Sequence, residues 1–489
     1  MLVPVRFLIW RVQPHLFLEC TTMTNATTQT SAPAPIHTGL TSMIGNTPML
    51  EVNQIDTGPC RLLLKMESQN PGNSIKDRIA VSMIEAAERS GDLTEGGHII
   101  EATAGNTGIS LALVGRLKGY MVTVVVPDKM SDAKIAHLRA LGADVSITRS
   151  DVQKNHPEYY QEVAARIALE TGGFYVNQFE NEANAAAHFA TTGPEIWQQT
   201  GGTIDAFVGG IGSGGTLAGA GQYLKNMNPA ITIILADPKG SILTPLINEG
   251  KDVEAGSWLV EGIGEDFVPD VANLDLIDEA IAIDDKGSFE AARDLLRQEG
   301  VLAGSSTGTQ LAAALKWCRK QTEPKTVVTF VCDHGSKYLD RMFNDYWMRD
   351  QGFIERPATN DLQDLITRRH AEHEDYTLLP DTPLMQAVKM MRLYDVSQMA
   401  VLNQGGELEG ILDESDILLA ITRNAEAFSH PVSKYMTRKL KTVLPTDSVD
   451  TLLPIFQADR IAIVVQGDEY LGLITRIDLI NYLRNRMAT

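Results

Sequence analysis

The chain has 489 residues, 44% of them hydrophobic, which is enough apolar material for one large core and a smaller one. Its formal charge of −20, from 62 acidic against 42 basic side chains, excludes a surface built to neutralise a phosphate backbone, so nucleic acid is not an expected partner. The four cysteines, Cys20, Cys60, Cys318 and Cys332, lie far apart with no C-x-x-C pair; neither a disulfide framework nor a zinc site is written, no metal is expected, and a reducing cytoplasm fits.

The first twenty residues carry Arg6 and Arg11, but their longest clean apolar run, residues 7–10, is shorter than a signal-peptide core. No stretch is apolar for long enough to span a membrane. Residues 21–36 are rich in Thr, Ala and Pro and cannot bury a core, so 1–37 is expected to be a disordered extension, with Met23 as an alternative initiator. From 38 to 350, short β-branched runs alternate with helical patterns, as in HIIEA, NTGISLALVGRL and MVTVVVP. This is the rhythm of a mostly parallel sheet covered by helices, so the fold class is α/β. RLLLKME, AFVGGI, ITIILAD and TVVTFVCD read as further strands, apolar on both faces as buried strands are.

Residues 351–372 are charged and polar and read as a linker. The rest is doubled: a unit over 373–430 is echoed over 431–489, pairing Pro380 with Pro445, Ala400 with Ala462, Gly410 with Gly472 and Asp416 with Asp478. Each unit reads helix, strand, strand, helix. Two strands alone are marginally stable, so the copies are expected to pack on one another.

The chemistry concentrates in the first part. The turn-forming run NPGNS, residues 70–74, precedes Lys76 and a helical pattern with Ile79, Met83, Ile84 and Ala87 on one face. An amine at a positive helix start is disfavoured as an ammonium ion, which suits a nucleophile or base. Thr103, Ala104, Gly105, Asn106 and Thr107 follow one strand and open a helix whose N–H groups can bind a carboxylate. Gly212, Ser213, Gly214, Gly215 and Thr216 follow another strand and open a second helix, where amides and a hydroxyl can cradle a phosphate. A third loop, AGSSTG at 303–308, offers hydroxyls at a helix start. Each glycine-rich loop alone is weak, since tight βα turns use glycine for steric reasons.

Taken together, NPGNSIKDR, TAGNTG, GSGGT, DPKGS, EGIGEDFVP and GSSTG occur in the order seen in fold-type II pyridoxal-5′-phosphate (PLP) enzymes. Over 38–489 the chain resembles the cystathionine β-synthase family, with DPKGS and EGIGEDF setting it apart from plain cysteine synthases. The resemblance implies two open, mostly parallel α/β subdomains followed by a tandem pair of cystathionine β-synthase domains. It makes Lys76 the Schiff-base lysine, Asn106 the partner of the cofactor's 3′-oxygen, the 212–216 loop the phosphate cup and Ser306 the partner of the pyridine nitrogen. Residues 103–107 and Gln178 would take the substrate carboxylate. A Ser hydroxyl does not hold the ring nitrogen protonated, which favours loss of a β-substituent over transamination.

The activity so implied is condensation of L-serine, or an activated serine such as O-acetylserine, with L-homocysteine to give L-cystathionine, with hydrogen sulfide release as a side reaction. Ala104, Phe179 and Glu265 stand where the animal enzymes have Ser, Tyr and Tyr. Fewer hydroxyls leave O-acetylserine a live donor, and Glu265 could recognise the homocysteine amino group. The alternatives are a cysteine synthase using O-acetylserine and sulfide, and a non-catalytic adenosyl-ligand sensor. No haem is expected, because Cys20 and His37 lack the animal enzymes' local pattern. Thr475 and Asp478 match the T-x-x-D pattern that contacts ribose in such domain pairs, so S-adenosylmethionine is a candidate regulatory ligand, while the first copy has Asp413 in place of Thr. A homodimer or higher homo-oligomer is expected from the resemblance.

Overall fold

The computed structural model of the chain describes residues 36–487 except 104, 129, 131, 153–155 and 356–358. Ala104, Cys20 and the Met23 initiator therefore lie outside the described residues. The chain lays down β1 (Met49–Glu51) and β2 (Arg61–Lys65), then β3 (His98–Ala102), β4 (Met121–Pro127), β5 (Asp144–Thr148) and β6 (Phe174–Tyr175). It returns with β7 (Ala206–Gly209), β8 (Thr232–Pro238), β9 (Glu279–Ile283) and β10 (Thr326–Phe330).

The middle four strands form one all-parallel sheet, in the order β5-β4-β3-β6. The others form a six-stranded sheet, β1-β2-β10-β7-β8-β9, parallel except for the β1 edge. Helices cover both faces of each, so the inner strands are buried on both sides: Leu62 and Leu64 belong to one cluster and Leu63 to another, while Ile99 and Ile100 divide in the same way. In an open α/β sheet, ligands bind beyond the carboxyl ends of the strands. The loops after β2, β3, β7 and β10 hold Lys76, residues 103–107, residues 212–216 and Cys332, and all four border one cleft.

The helix Lys76–Ser90 begins at the lysine itself and buries Ile79, Met83, Ile84 and Ala87, the face that its 3.6-residue spacing predicts. Two residues in, Arg78 is held by a buried charge network. Its guanidinium reaches Glu67 at 2.7 Å and Glu195 at 2.7 Å, and Lys65 reaches Glu195 at 2.6 Å.

The doubled module has two small sheets, β11 (Thr377–Leu378), β12 (Gln398–Leu402) and β13 (Leu408–Asp413), then β14 (Thr442–Val443), β15 (Ala462–Gln466) and β16 (Glu469–Ile474). Both antiparallel ladders shift register at the equivalent place, after Val401 and after Val464. Gly410 pairs with Val401 and Gly472 with Val464, so the ladders align Ala400 with Ile463 rather than with Ala462. The two units share a cluster of Ala400, Leu402, Ile463 and Tyr470, the mutual packing expected of marginal two-stranded copies. Leu362, Leu365 and Ile366, in the segment read as a linker, are buried in the core of the second unit. Their spacing matches a single 3-10 turn, too short to register as amphipathic periodicity. Among the described residues, no helix is long and apolar enough to cross a membrane, and no group of three or more His, Cys, Asp or Glu side chains is placed to hold a metal.

Candidate active site

Between the two sheets lies a cavity of about 710 Å³ whose walls include Lys76, Thr103, Gly105, Asn106, Thr107, Gln178, Gly212, Ser213, Gly214, Thr216, Glu265 and Ser306. Residues separated by 230 positions in the chain thus converge on one space. Burial pushes the Lys76 amine below its ordinary range, against the opposing pull of Cys332 and Glu265. Burial, reinforced by Asp266, pushes the Glu265 carboxyl well up, while Lys76 draws it down, and both side chains line the cavity.

The helix Asn106–Leu117 starts at the cavity wall, with Gly105 as its extended N-cap. Thr103 Oγ1 accepts from the Gly105 N–H at 3.1 Å and shapes the turn. Thr107 donates to Gln178 Oε1 at 2.7 Å, fixing the orientation of both side chains. The Asn106 amide is held at both ends, donating to Asp333 Oδ2 at 2.8 Å and accepting from Lys337 Nζ at 2.6 Å. Neither Asp333 nor Lys337 was legible as part of this site, because only the fold brings the β10 loop against the loop after β3.

The 212–216 loop is the start of a second helical run. A Cβ at Gly212 would collide with the Gly262 carbonyl, and one at Gly215 with Asn184 Oδ1; Gly214 has φ +87 and sits against Ala272. Glycine is required there by close approach, and the backbone is left bare to the cavity. Asn184 braces the loop by donating to Ser213 Oγ at 2.8 Å. Thr216 Oγ1 lies 3.3 Å from His188 Nε2, and His188, pushed well down by burial and by the cations Arg78 and Lys76, is a neutral imidazole. Ser306 opens the helix Ser305–Cys318 with its hydroxyl at the cavity wall.

These groups suit PLP: a glycine-only cradle at a helix start for a phosphate, a lysine of lowered pKa for an aldehyde carbon, and a neutral hydroxyl for a ring nitrogen. Lys134 and Arg341, which also line the cavity, both pair with Glu261, Arg341 at 2.8 Å, so its wall carries charges of both signs.

In the second module unit the Thr475 N–H donates to Asp478 Oδ2 at 2.7 Å, and both Thr475 and Thr367 hydroxyls donate to the same carboxylate. In the first unit Asp413 and Asp416 instead form a reciprocal capping box. His37 is exposed and its Nδ1 lies 3.1 Å from Ser42 Oγ.

The pyridoxal-phosphate dependent enzyme family matches residues 40–333, and the CBS domain family matches 364–423 and 432–485. A cystathionine beta-synthase of Apis mellifera is 32% identical over 96% of this chain and 97% of its own. Cysteine synthase 1 of Neurospora crassa is 41% identical over 65% of this chain and 86% of its own. The solved structure of a hydrogen sulfide-producing enzyme from Fusobacterium nucleatum superposes with a TM-score of 0.57 at 34% identity, covering 62% of this chain and all of that one. With a matching catalytic family, a matching domain pair and full-length similarity to a named relative, the chain belongs to the cystathionine β-synthase family of pyridoxal-phosphate dependent enzymes.

Proposed function

We propose that the chain is a PLP-dependent cystathionine β-synthase, a lyase that replaces the β-substituent of serine or O-acetylserine with the thiol of homocysteine. The observation that carries this is the shared cavity whose walls include Lys76, Glu265 and residues from two glycine-rich helix starts, Thr103, Gly105, Asn106 and Thr107 on one and Gly212, Ser213, Gly214 and Thr216 on the other.

PLP, when held by Lys76, Asn106, the 212–216 loop and Ser306, supplies an electron-accepting ring that acidifies the α-proton of the amino acid bound to it. Thr103, Gly105 and Thr107 bind the first substrate's carboxylate at the helix start, and Gln178, fixed by Thr107, closes that side. The lowered pKa of Lys76 leaves its Nζ neutral over more of the pH range, able to take the α-proton and return one at the end of the cycle. Glu265 receives the amino group of the incoming homocysteine, a contact that sulfide does not need. Phe179, stacked edge-on against Phe267 with centroids 5.4 Å apart, keeps water from that side of the cavity.

The cysteine synthase reading has one observation in its favour, the 41% identity of the catalytic part to cysteine synthase 1 of Neurospora crassa. A side-by-side rate assay on PLP-loaded protein, offering serine or O-acetylserine with homocysteine or sulfide, separates the two. Homocysteine is expected to be the better acceptor; an advantage for sulfide of more than about tenfold, roughly 1.4 kcal/mol of barrier, overturns the assignment. The C-terminal pair is assigned a regulatory adenosyl site at Thr475 and Asp478, and the protein is assigned to the cytoplasm as a homodimer or higher homo-oligomer.

A further inference from the structure

Asn106 is clamped between two charged side chains, Asp333 and Lys337, neither of which the proposed reaction uses. Its Nδ2 donates to Asp333 Oδ2 at 2.8 Å, and its Oδ1 accepts from Lys337 Nζ at 2.6 Å. A carboxylate only accepts and an ammonium only donates, so the two ends of the amide cannot be exchanged. A flipped amide would press its oxygen against the carboxylate and its N–H groups against the ammonium, and both contacts would repel.

The clamp is itself held in place. Asp333 is fully buried, and its Oδ2 also accepts from the Tyr338 hydroxyl at 2.8 Å. Its carbonyl accepts from the Gly304 N–H at 3.2 Å, and a Cβ at Gly304 would collide with its Oδ1. On either side of it, the Cys332 carbonyl accepts from the Ile75 N–H at 2.9 Å and the His334 N–H donates to the Asn73 carbonyl at 3.1 Å. Residues 332–338 are thus tied to the loop before Lys76, to the loop before Ser306 and to Asn106. The Asn106 Nδ2 carries two hydrogens, and Asp333 takes one. The other has no partner among the described residues, on a side chain that lines the cavity. The ammonium at Oδ1 draws electron density from the amide, which makes that remaining N–H a stronger donor.

We propose that Asp333 and Lys337 lock the Asn106 amide in one orientation, so that its remaining N–H donates to the cofactor's 3′-oxygen and holds that oxygen unprotonated. Both are positioning residues that act through Asn106. The inference rests on Asn106 being the partner of the 3′-oxygen.

The test loads the full-length protein with PLP and reads two quantities: the PLP dissociation constant, and the ratio of the absorption bands belonging to the protonated and unprotonated 3′-oxygen. Asn106→Ala, Asp333→Ala and Lys337→Met are all expected to shift the ratio toward the protonated form. Each should also weaken PLP roughly 3- to 10-fold, the range of one lost hydrogen bond. Lys337→Arg keeps a cationic donor and Asp333→Asn keeps an acceptor, so both are expected to return the ratio toward the wild-type value. Acting directly through space, the two charges would have opposite effects: loss of the Asp333 charge favours the unprotonated oxygen, and loss of the Lys337 charge the protonated one. The proposal is therefore overturned if Asp333→Ala and Lys337→Met move the ratio in opposite directions, or if Lys337→Met still moves it in the Asn106→Ala background. Variants that lose stability while keeping the wild-type ratio overturn it as well, since a merely structural clamp would do that. Should Asp333→Ala fail to fold, Lys337→Met, alone and combined with Asn106→Ala, carries the same decision. An Asn106→Ala protein with unchanged ratio and unchanged PLP affinity instead overturns the assignment of Asn106 beneath it.

Discussion

Replacing Glu195 by Gln tests whether the charge network under the Lys76 helix holds the catalytic part together. Burial would raise the Glu195 carboxyl, but hydrogen bonds and attraction from Arg78 and Lys65 outweigh it and bring it from 4.5 down to about 2. That difference, at about 1.36 kcal/mol per unit, corresponds to about 3 kcal/mol, and the attraction is counted once, on the Glu195 side. Because the folded-state pKa is depressed, this stabilisation is complete above the unfolded value of 4.5 and is lost as pH falls toward 2. The Gln variant leaves Lys65 and Arg78 sharing Glu67 alone, an uncompensated buried charge. Urea unfolding of the full-length protein, followed by loss of the visible cofactor band, should show Glu195→Gln destabilised by about 3 kcal/mol at pH 7 and about 2 kcal/mol at pH 3.5. A deficit below about 1 kcal/mol at pH 7, or one that stays constant between the two pH values, would refute the reasoning.

Lys76→Ala should lose the visible band and at least about a thousandfold in turnover, and retention of either under saturating PLP contradicts its role. Glu265→Gln removes the carboxyl proposed to receive the homocysteine amino group, so KM for homocysteine rises about tenfold while that for sulfide does not; parallel KM values would place Glu265 outside the site. Gly215→Ala puts a methyl group into Asn184, and equilibrium dialysis should find PLP bound at least about tenfold more weakly. Asp478→Ala should abolish calorimetric binding of S-adenosylmethionine without changing basal turnover, and unchanged heat would move the ligand elsewhere.

What could be read from the chain and what could not divides by sequence distance. Lys76, the 103–107 loop and the 212–216 loop are each announced by a strand, a glycine-rich turn and a helix, and Ser306 by a hydroxyl-rich turn and a helix, and local rules suffice for such units. The doubling of the module is likewise a comparison of one stretch with another. Its one misalignment, Ala400 with Ala462, arose because the hairpin connection is one residue shorter in the second unit, Val465 to Tyr470 against Leu402 to Leu408, so the offset between the copies differs by one residue between the two strands.

The supports of the site had no such signal. Glu67, Arg78 and Glu195 are ordinary charges in sequence, and only the return of the chain from the four-stranded to the six-stranded sheet brings Glu195 within 2.7 Å of a guanidinium 117 positions away. Asn106 reaches Asp333 and Lys337 across 227 and 231 positions, and Gln310 meets Cys332 where one helix start packs beside the end of β10. A buried ion or a buried amide costs free energy unless its partner is supplied, so each of these residues makes physical sense only once its distant partner is in place. The groups that line the cavity are therefore written locally, while the groups that brace them are written in the tertiary fold.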